Sequence, residues 1–309
     1  RTVTGRHKVV YFTGDYHGTF DGVLGRAHVA DDTLSTRPVA PGITSASVDD
    51  VMVLDYDAPD SLAILQEQAD QIAAVLVEPV QSRHPNRQSA AFVKELRRIT
   101  EQAGAALILD EMITGFRCAP GGLNALWGVR ADMCTYGKIL GGGLPIGAIA
   151  GGARWLDAID GGSWAFDDDS MPEATMTFFA GTHVRHPLAM SAAEVVLEWI
   201  ETDAGAAQRA LDTATGAFAA RVNTAMEARG VPLRILHFSS WFRFDVPADQ
   251  PLAALLFPWL VAHGVYVRDG AQNCFFSIAH TAQDIAIVEN AILAGVNALV
   301  TAGALPGTI

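Results

Sequence analysis

The feature that most constrains the fold is an alternation of short apolar runs with helical periodicity over the first 200 residues. Val9–Phe12, Ala73–Val77, Ala105–Leu109, Met133–Tyr136 and Ala148–Ala150 are each three to five residues long, and several are bounded by turn residues. They read as buried strands. Between them, Ser61–Gln71 and Ser89–Ala103 carry apolar residues at helical spacing. Phe92, Leu96 and Ile99 fall on one face, with Lys94, Glu95, Arg97 and Arg98 on the other. Strands alternating with helices predict an α/β domain with a largely parallel sheet. A long helix is expected over Pro187–Glu201, with the proline in its first turn. After Asp203 the texture changes. A helix over Ala206–Arg229 ending at Gly230 precedes strand-like runs at Leu233–Phe238 and Trp241–Val246. A helix near Leu252–His263, strands at Val265–Arg268 and Cys274–Ala279, and a last helix from Ala282 complete a smaller α+β domain. The expected division is a large domain over 1–203 and a small one over 204–309.

Half of the 309 residues are apolar and 18% are charged, enough to bury a core and too few charges for disorder. The net charge of −13 argues against nucleic acid and against anionic membranes as partners. No apolar run is expected to reach the roughly 18–20 residues of a membrane span. Three scattered cysteines, Cys118, Cys134 and Cys274, fit a reducing, cytoplasmic compartment. His183, His186 and His280 lack metal-ligand spacing, so no metal is expected. The start shows no signal peptide, and its abrupt entry into an apolar run reads as a piece of a longer protein.

Two segments point to chemistry. In Leu107-Ile-Leu-Asp110-Glu111-Met112 an apolar strand runs into two carboxylates. Ligands of open α/β sheets sit at the carboxyl ends of strands, although such a pair also reads as a helix cap or a solvated acidic pair. In Thr135-Tyr-Gly-Lys138-Ile-Leu-Gly141-Gly-Gly143 a lone lysine lies between a strand and a run of glycines. The segment is neither a Walker A loop nor a dinucleotide fingerprint. A lysine here is a surface charge or, if desolvated, a nucleophile. An acid and a lysine at the ends of successive strands suit pyridoxal phosphate, which takes a lysine for its Schiff base and an acid against its ring nitrogen.

With these residues and three further patches, the chain resembles the class III pyridoxal-phosphate aminotransferases of fold type I. The patches are Gly14-Asp-Tyr16-His17-Gly18, Glu78-Pro-Val80 and Phe179-Ala-Gly181-Thr182. The resemblance implies that Lys138 is the Schiff-base lysine and proton shuttle, and that Asp110 partners the pyridine nitrogen. It implies Tyr16 stacked on one face of the ring and Met112, where valine is usual, on the other. Glu78 resembles an acid on the substrate side. Gly181 and Thr182 resemble the pair that reaches the phosphate of the neighbouring subunit, so a homodimer is implied. His17 belongs to the cofactor patch, although taken alone it reads as a turn residue. Ile113 stands where ornithine- and GABA-type members carry glutamine, which places the chain nearer the glutamate-1-semialdehyde aminomutase branch.

A closer resemblance covers nearly the whole chain. Asp160-Gly-Gly-Ser-Trp164, Asp167-Asp-Asp-Ser-Met-Pro172, Gly181-Thr-His-Val-Arg-His-Pro187, Trp241-Phe-Arg-Phe244 and Phe275-Phe-Ser-Ile-Ala-His280 are similar to aminotransferase domains of hybrid polyketide–nonribosomal peptide synthases. That likeness implies amination of a β-keto acyl thioester on a carrier protein, with an amino acid donor such as glutamate or glutamine. One alternative is an aminomutase-like enzyme acting on a free small substrate. The other is a truncated, cofactor-free interaction module. The family's upstream phosphate loop and part of its large domain are not in this sequence, so an N-terminally incomplete large domain is expected.

Overall fold

The computed structural model describes residues 1–30, 33–267 and 273–308. The chain divides into two compact units. The first comprises residues 1–81 and 88–202, and the second comprises 82–87 and 203–309.

The first unit is built on six strands. They are β1 (Lys8–Phe12), β4 (Val51–Leu54), β5 (Ile72–Val77), β6 (Ala106–Asp110), β7 (Met133–Gly137) and β8 (Gly147–Gly151), in the order β4-β1-β5-β6-β7-β8. All neighbours are parallel except β7 and β8. The fold is therefore the mostly parallel α/β architecture expected. The sequence Ile-Ala-Ala-Val-Leu-Val of β5 is apolar on both sides because both faces of the strand are covered. One expectation fails: β8, read as buried, is a largely exposed antiparallel edge strand. Its small residues supply too little apolar surface to need burial.

Helices α1 (Pro59–Glu67), α2 (Ala90–Ala103), α3 (Gly122–Leu126), α4 (Ala153–Asp160) and α5 (Pro187–Asp203) complete this unit. On α2 the predicted stripe of Phe92, Leu96 and Ile99 is buried, joined by Val93. The helix stops at Gly104, whose φ of 68° is left-handed. Phe12, Tyr56 and Phe92 meet ring to ring beneath the sheet, with centroids 5.1 to 6.0 Å apart. Asp132 ties β6 to its neighbours by accepting from Leu107 N, Trp155 Nε1 and Arg97 Nη1. A hairpin of β2 (Gly25–Ala30) and β3 (Thr33–Pro38) forms a sheet of its own, tied to the large one where Thr36 Oγ1 donates to the Val51 carbonyl at 2.6 Å.

The second unit holds α6 (Ala206–Ala228), β9 (Arg234–Phe238), β10 (Trp241–Asp245), α7 (Leu256–Ala262), β11 (Cys274–Phe275) and α8 (Ala282–Thr301). Its three strands form one antiparallel sheet in the order β11-β10-β9. Phe218, Phe242 and Phe276 pack together in its core, with centroids 5.0 to 5.2 Å apart. Val265–Val267 is irregular rather than a strand, Arg268 lies outside the described residues, and the strand expected over Cys274–Ala279 is two residues long. Helix α8 is opened by a capping box between Thr281 and Asp284. Among the described residues it is the one helix long and apolar enough to cross a membrane by length and composition, although Asp284, Glu289, Asn290 and Asn297 interrupt it and no continuous apolar run reaches that length. Its Ile285, Ile292, Val296 and Leu299 are buried in the core of this unit, the pattern of an amphipathic core helix.

Candidate active site

The parallel strands β1, β5, β6 and β7 are consecutive in the sheet, so their carboxyl ends share one edge. The chain turns one way from β1 to β4 and the other way to β5, which makes this edge a topological switch point. Each of the four strands delivers predicted residues there. Tyr16 and His17 follow β1, Glu78 follows β5, Asp110 ends β6, and Lys138 follows β7.

Asp110 is held from three sides. Its Oδ2 accepts from His17 Nδ1 at 2.7 Å, and its Oδ1 accepts from Met112 N and Thr135 Oγ1, both at 3.1 Å. His17 Nε2 lies 3.3 Å from Asp15 Oδ2. Burial alone would lower the His17 pKa. The hydrogen bonds and charges of Asp110 and Asp15 outweigh it and raise the imidazole to about 9. The result is an imidazolium between two carboxylates. Asp15 is itself pushed up by burial, against its donors His17, Gln81 and the Glu78 amide.

Lys138 adopts φ 47°, a left-handed conformation uncommon for a residue with a Cβ. Strain of this kind costs about 1–3 kcal/mol and collects at functional sites. Burial lowers the ammonium pKa. The charges of Asp110 and Glu78 oppose that shift, and Arg117 reinforces it. Arg117 is itself buried, donates Nε to the Ile113 carbonyl and is pushed down to about 10 by desolvation. Met112 covers the backbone just before Lys138: a Cβ at Gly137 would land on its sulfur. Glu78 is buried and accepts from Tyr16 N at 3.0 Å, while the Tyr16 side chain is half exposed.

The acidic pair Asp110-Glu111 splits between its two readings. Asp110 joins the cluster. Glu111 is buried, accepts from Thr114 Oγ1, and takes the Asn124 amide at 2.6 Å in the first turn of α3. The glycine run also divides: Gly142, at φ 56°, lets the loop approach Val196 of α5, whereas Gly143 faces open space. Gly181 and Thr182 lie on an exposed loop, and no hydrogen bond or ion pair among the described residues joins them to Lys138 or Asp110. Sequence reasoning missed Asp15 and Arg117. Asp15, two residues before His17, was the available signal for a carboxylate–imidazole pair.

The Aminotransferase class-III family matches residues 1–287. Glutamate-1-semialdehyde 2,1-aminomutase of Pyrobaculum calidifontis is 33% identical over 94% of this chain, and that of Chloroflexus aggregans is 32% identical over 92%. The chain spans 66% of the length of each of these two relatives. Among solved structures, an omega-transaminase from Sphaerobacter thermophilus is 25% identical with a TM-score of 0.82, over 96% of this chain and 69% of that one. A β-phenylalanine aminotransferase from Variovorax paradoxus is 28% identical with a TM-score of 0.76, over 99% of this chain and 67% of that one. The fold, with Asp110 and Lys138 at one edge of its sheet, is that of the fold type I pyridoxal-phosphate transferases. The chain belongs to the class-III aminotransferases.

The residues present fit pyridoxal phosphate. A carboxylate backed by an imidazolium suits a protonated pyridine nitrogen, the amine of Lys138 with its lowered pKa suits the aldehyde carbon, and the Tyr16 side chain is open to solvent.

Proposed function

We propose that the protein is an aminotransferase that moves an amino group from an amino acid donor to a β-keto acyl chain held as a thioester on a carrier protein. The observation that carries the amino-transfer reading is the juxtaposition, at the ends of β6 and β7, of Asp110 with its His17 partner and Lys138, on whose ammonium the Asp110 charge acts. Bound pyridoxal phosphate supplies an electron sink that stores the nitrogen between two half-reactions. In this reading Asp110 holds the proton on the ring nitrogen, and His17 fixes the orientation of the carboxylate. Lys138, whose pKa burial lowers, would bond the aldehyde of the group and serve as the base toward the substrate Cα proton. Tyr16 and Met112 would hold the ring between them, and Glu78 would face the substrate. Gly181 and Thr182 reach the phosphate of a neighbouring subunit. That dimer is supported by a run of exposed apolar side chains in the same stretch, Phe166, Met171, Phe178, Leu188 and Val195.

The carrier-bound acceptor is supported by the sequence patches from Asp160 to His280. The names of the curated relatives favour the other enzyme reading, an aminomutase-like reaction on a free small substrate. One set of assays separates them. Borohydride should fix the cofactor on Lys138, and Lys138→Ala should lose both adduct and turnover. Asp110→Asn should keep the cofactor and lose activity by about 100-fold or more. An adduct on another lysine, or near-normal turnover in Asp110→Asn, would overturn the roles assigned. A β-keto acyl group on its carrier should show a much larger kcat/KM than the same group on a small free thioester. Equal values, or efficient turnover of glutamate semialdehyde, would transfer the assignment to the aminomutase-like reading.

A further inference from the structure

The second unit has a cleft of its own, about 420 Å³ in volume, walled by the 82–87 loop, β10 and the turn that follows it. Arg83 and His84 enter from the loop and Arg243 from β10, while Phe244, Val246 and Pro251 contribute apolar surface. The cations are close enough to act on one another. Burial lowers the Arg243 guanidinium, and the charge of Arg83 lowers it further, with Cys274 and Asp245 opposing. His84 is lowered by burial and then by Arg87, Arg243 and Arg83, with Asp245 alone opposing. Among the described residues neither Arg83 nor Arg243 is in an ion pair. Arg243 donates one hydrogen bond, to Asn273 Oδ1 at 3.2 Å.

In a chain of net charge −13, Arg83 and Arg243 share one concavity with a single carboxylate, Asp245, that is in an ion pair with neither, and the excess of cations forms a local positive field that global composition hides. Such a cluster repels itself and is relieved by an anion. The cleft is too small for a nucleic-acid strand, and its apolar wall suits an oxyanion carried on an apolar stem. We propose that the cleft walled by Arg83, His84 and Arg243 holds the phosphodiester of the pantetheine arm that carries the acyl acceptor. The proposal rests on the carrier-bound reading above.

The test titrates 4′-phosphopantetheine, pantetheine and glutarate into the protein by calorimetry. 4′-Phosphopantetheine should bind, with pantetheine and glutarate at least tenfold weaker. Arg83→Gln and Arg243→Gln should each weaken 4′-phosphopantetheine about tenfold, and Arg243→Lys should recover part of the loss. Arg83 is exposed, so its substitution leaves the core untouched. No binding of 4′-phosphopantetheine, equal binding to the double glutamine variant, or preference for glutarate would overturn the assignment. A companion assay with acyl-loaded carrier separates the two levels. A carrier preference that survives both substitutions overturns the cleft alone. Absence of any carrier preference in the unmodified protein overturns the reading beneath it.

Discussion

Replacing His17 with glutamine tests the electrostatic frame that holds Asp110. In the folded protein burial disfavours the imidazolium, yet Asp110 and Asp15 raise its pKa from 6.5 to about 9. The unfolded chain returns the group to its ordinary value, so the folded state binds this proton more tightly. At roughly 1.4 kcal/mol for each pH unit, the difference is worth about 3 kcal/mol of stability. The contribution is complete below the unfolded pKa of 6.5 and is lost as pH rises through about 9. Urea unfolding between about pH 6 and pH 10 should therefore show the unmodified protein losing about 3 kcal/mol more than His17→Gln. Taking the difference between the two proteins matters, because Cys134 and Cys274, both raised to about 11 by burial, titrate at the upper end in each. Parallel stability curves would refute the account, since they would mean that His17 is not held as a cation between the two carboxylates.

Two further outcomes follow from the same edge of the sheet and its surroundings. Gly137→Ala should destabilise the first unit by about 1–3 kcal/mol, because the new Cβ meets the Met112 sulfur and lies 2.9 Å from the backbone oxygen of Ile146. Adding Met112→Ala should recover only part of the loss in a denaturant titration, and full recovery would show that the Ile146 backbone does not resist. The active form should sediment as a dimer, because Phe166, Phe178 and Leu188 expose apolar surface beside Gly181 and Thr182; a monomer retaining full activity would contradict this.

The parts of the fold legible in the sequence are those where one local pattern suffices. Apolar runs bounded by turns mark β1, β5, β6 and β7 to within a residue or so, and the Phe92–Ile99 stripe marks the buried face of α2. Asp110 and Lys138 were legible for the same reason: each stands where an apolar run stops, and strand ends are where α/β sheets present ligand groups. The β2–β3 hairpin was not legible, because Gly-Arg-Ala-His-Val-Ala and Thr-Leu-Ser-Thr-Arg-Pro alternate too weakly to mark a buried face. Strand β4 carried a usable signal in Val-Met-Val-Leu between aspartates, but its place beside β1 is set by packing across the sheet.

What sequence order hides most is the regrouping of chain segments that do not adjoin. By sequence order residues 82–87 fall inside the large domain expected over 1–203, yet they belong to the second unit, where Arg83 and His84 meet Arg243 across some 160 residues of chain. No periodicity reports such a meeting, because both arginines sit in segments whose local pattern is satisfied without it. The same holds for His17 and Asp110, 93 residues apart and joined by a 2.7 Å hydrogen bond. In both cases the local pattern assigns a bland role, a turn histidine or a solvated loop arginine. Only convergence in space turns those residues into groups whose charges must be answered. At the edge of the large sheet the answer is a pair of carboxylates within the chain. In the cleft of the small unit neither Arg83 nor Arg243 is ion-paired among the described residues, and that difference is why the cleft calls for an anionic ligand and the His17 cluster does not.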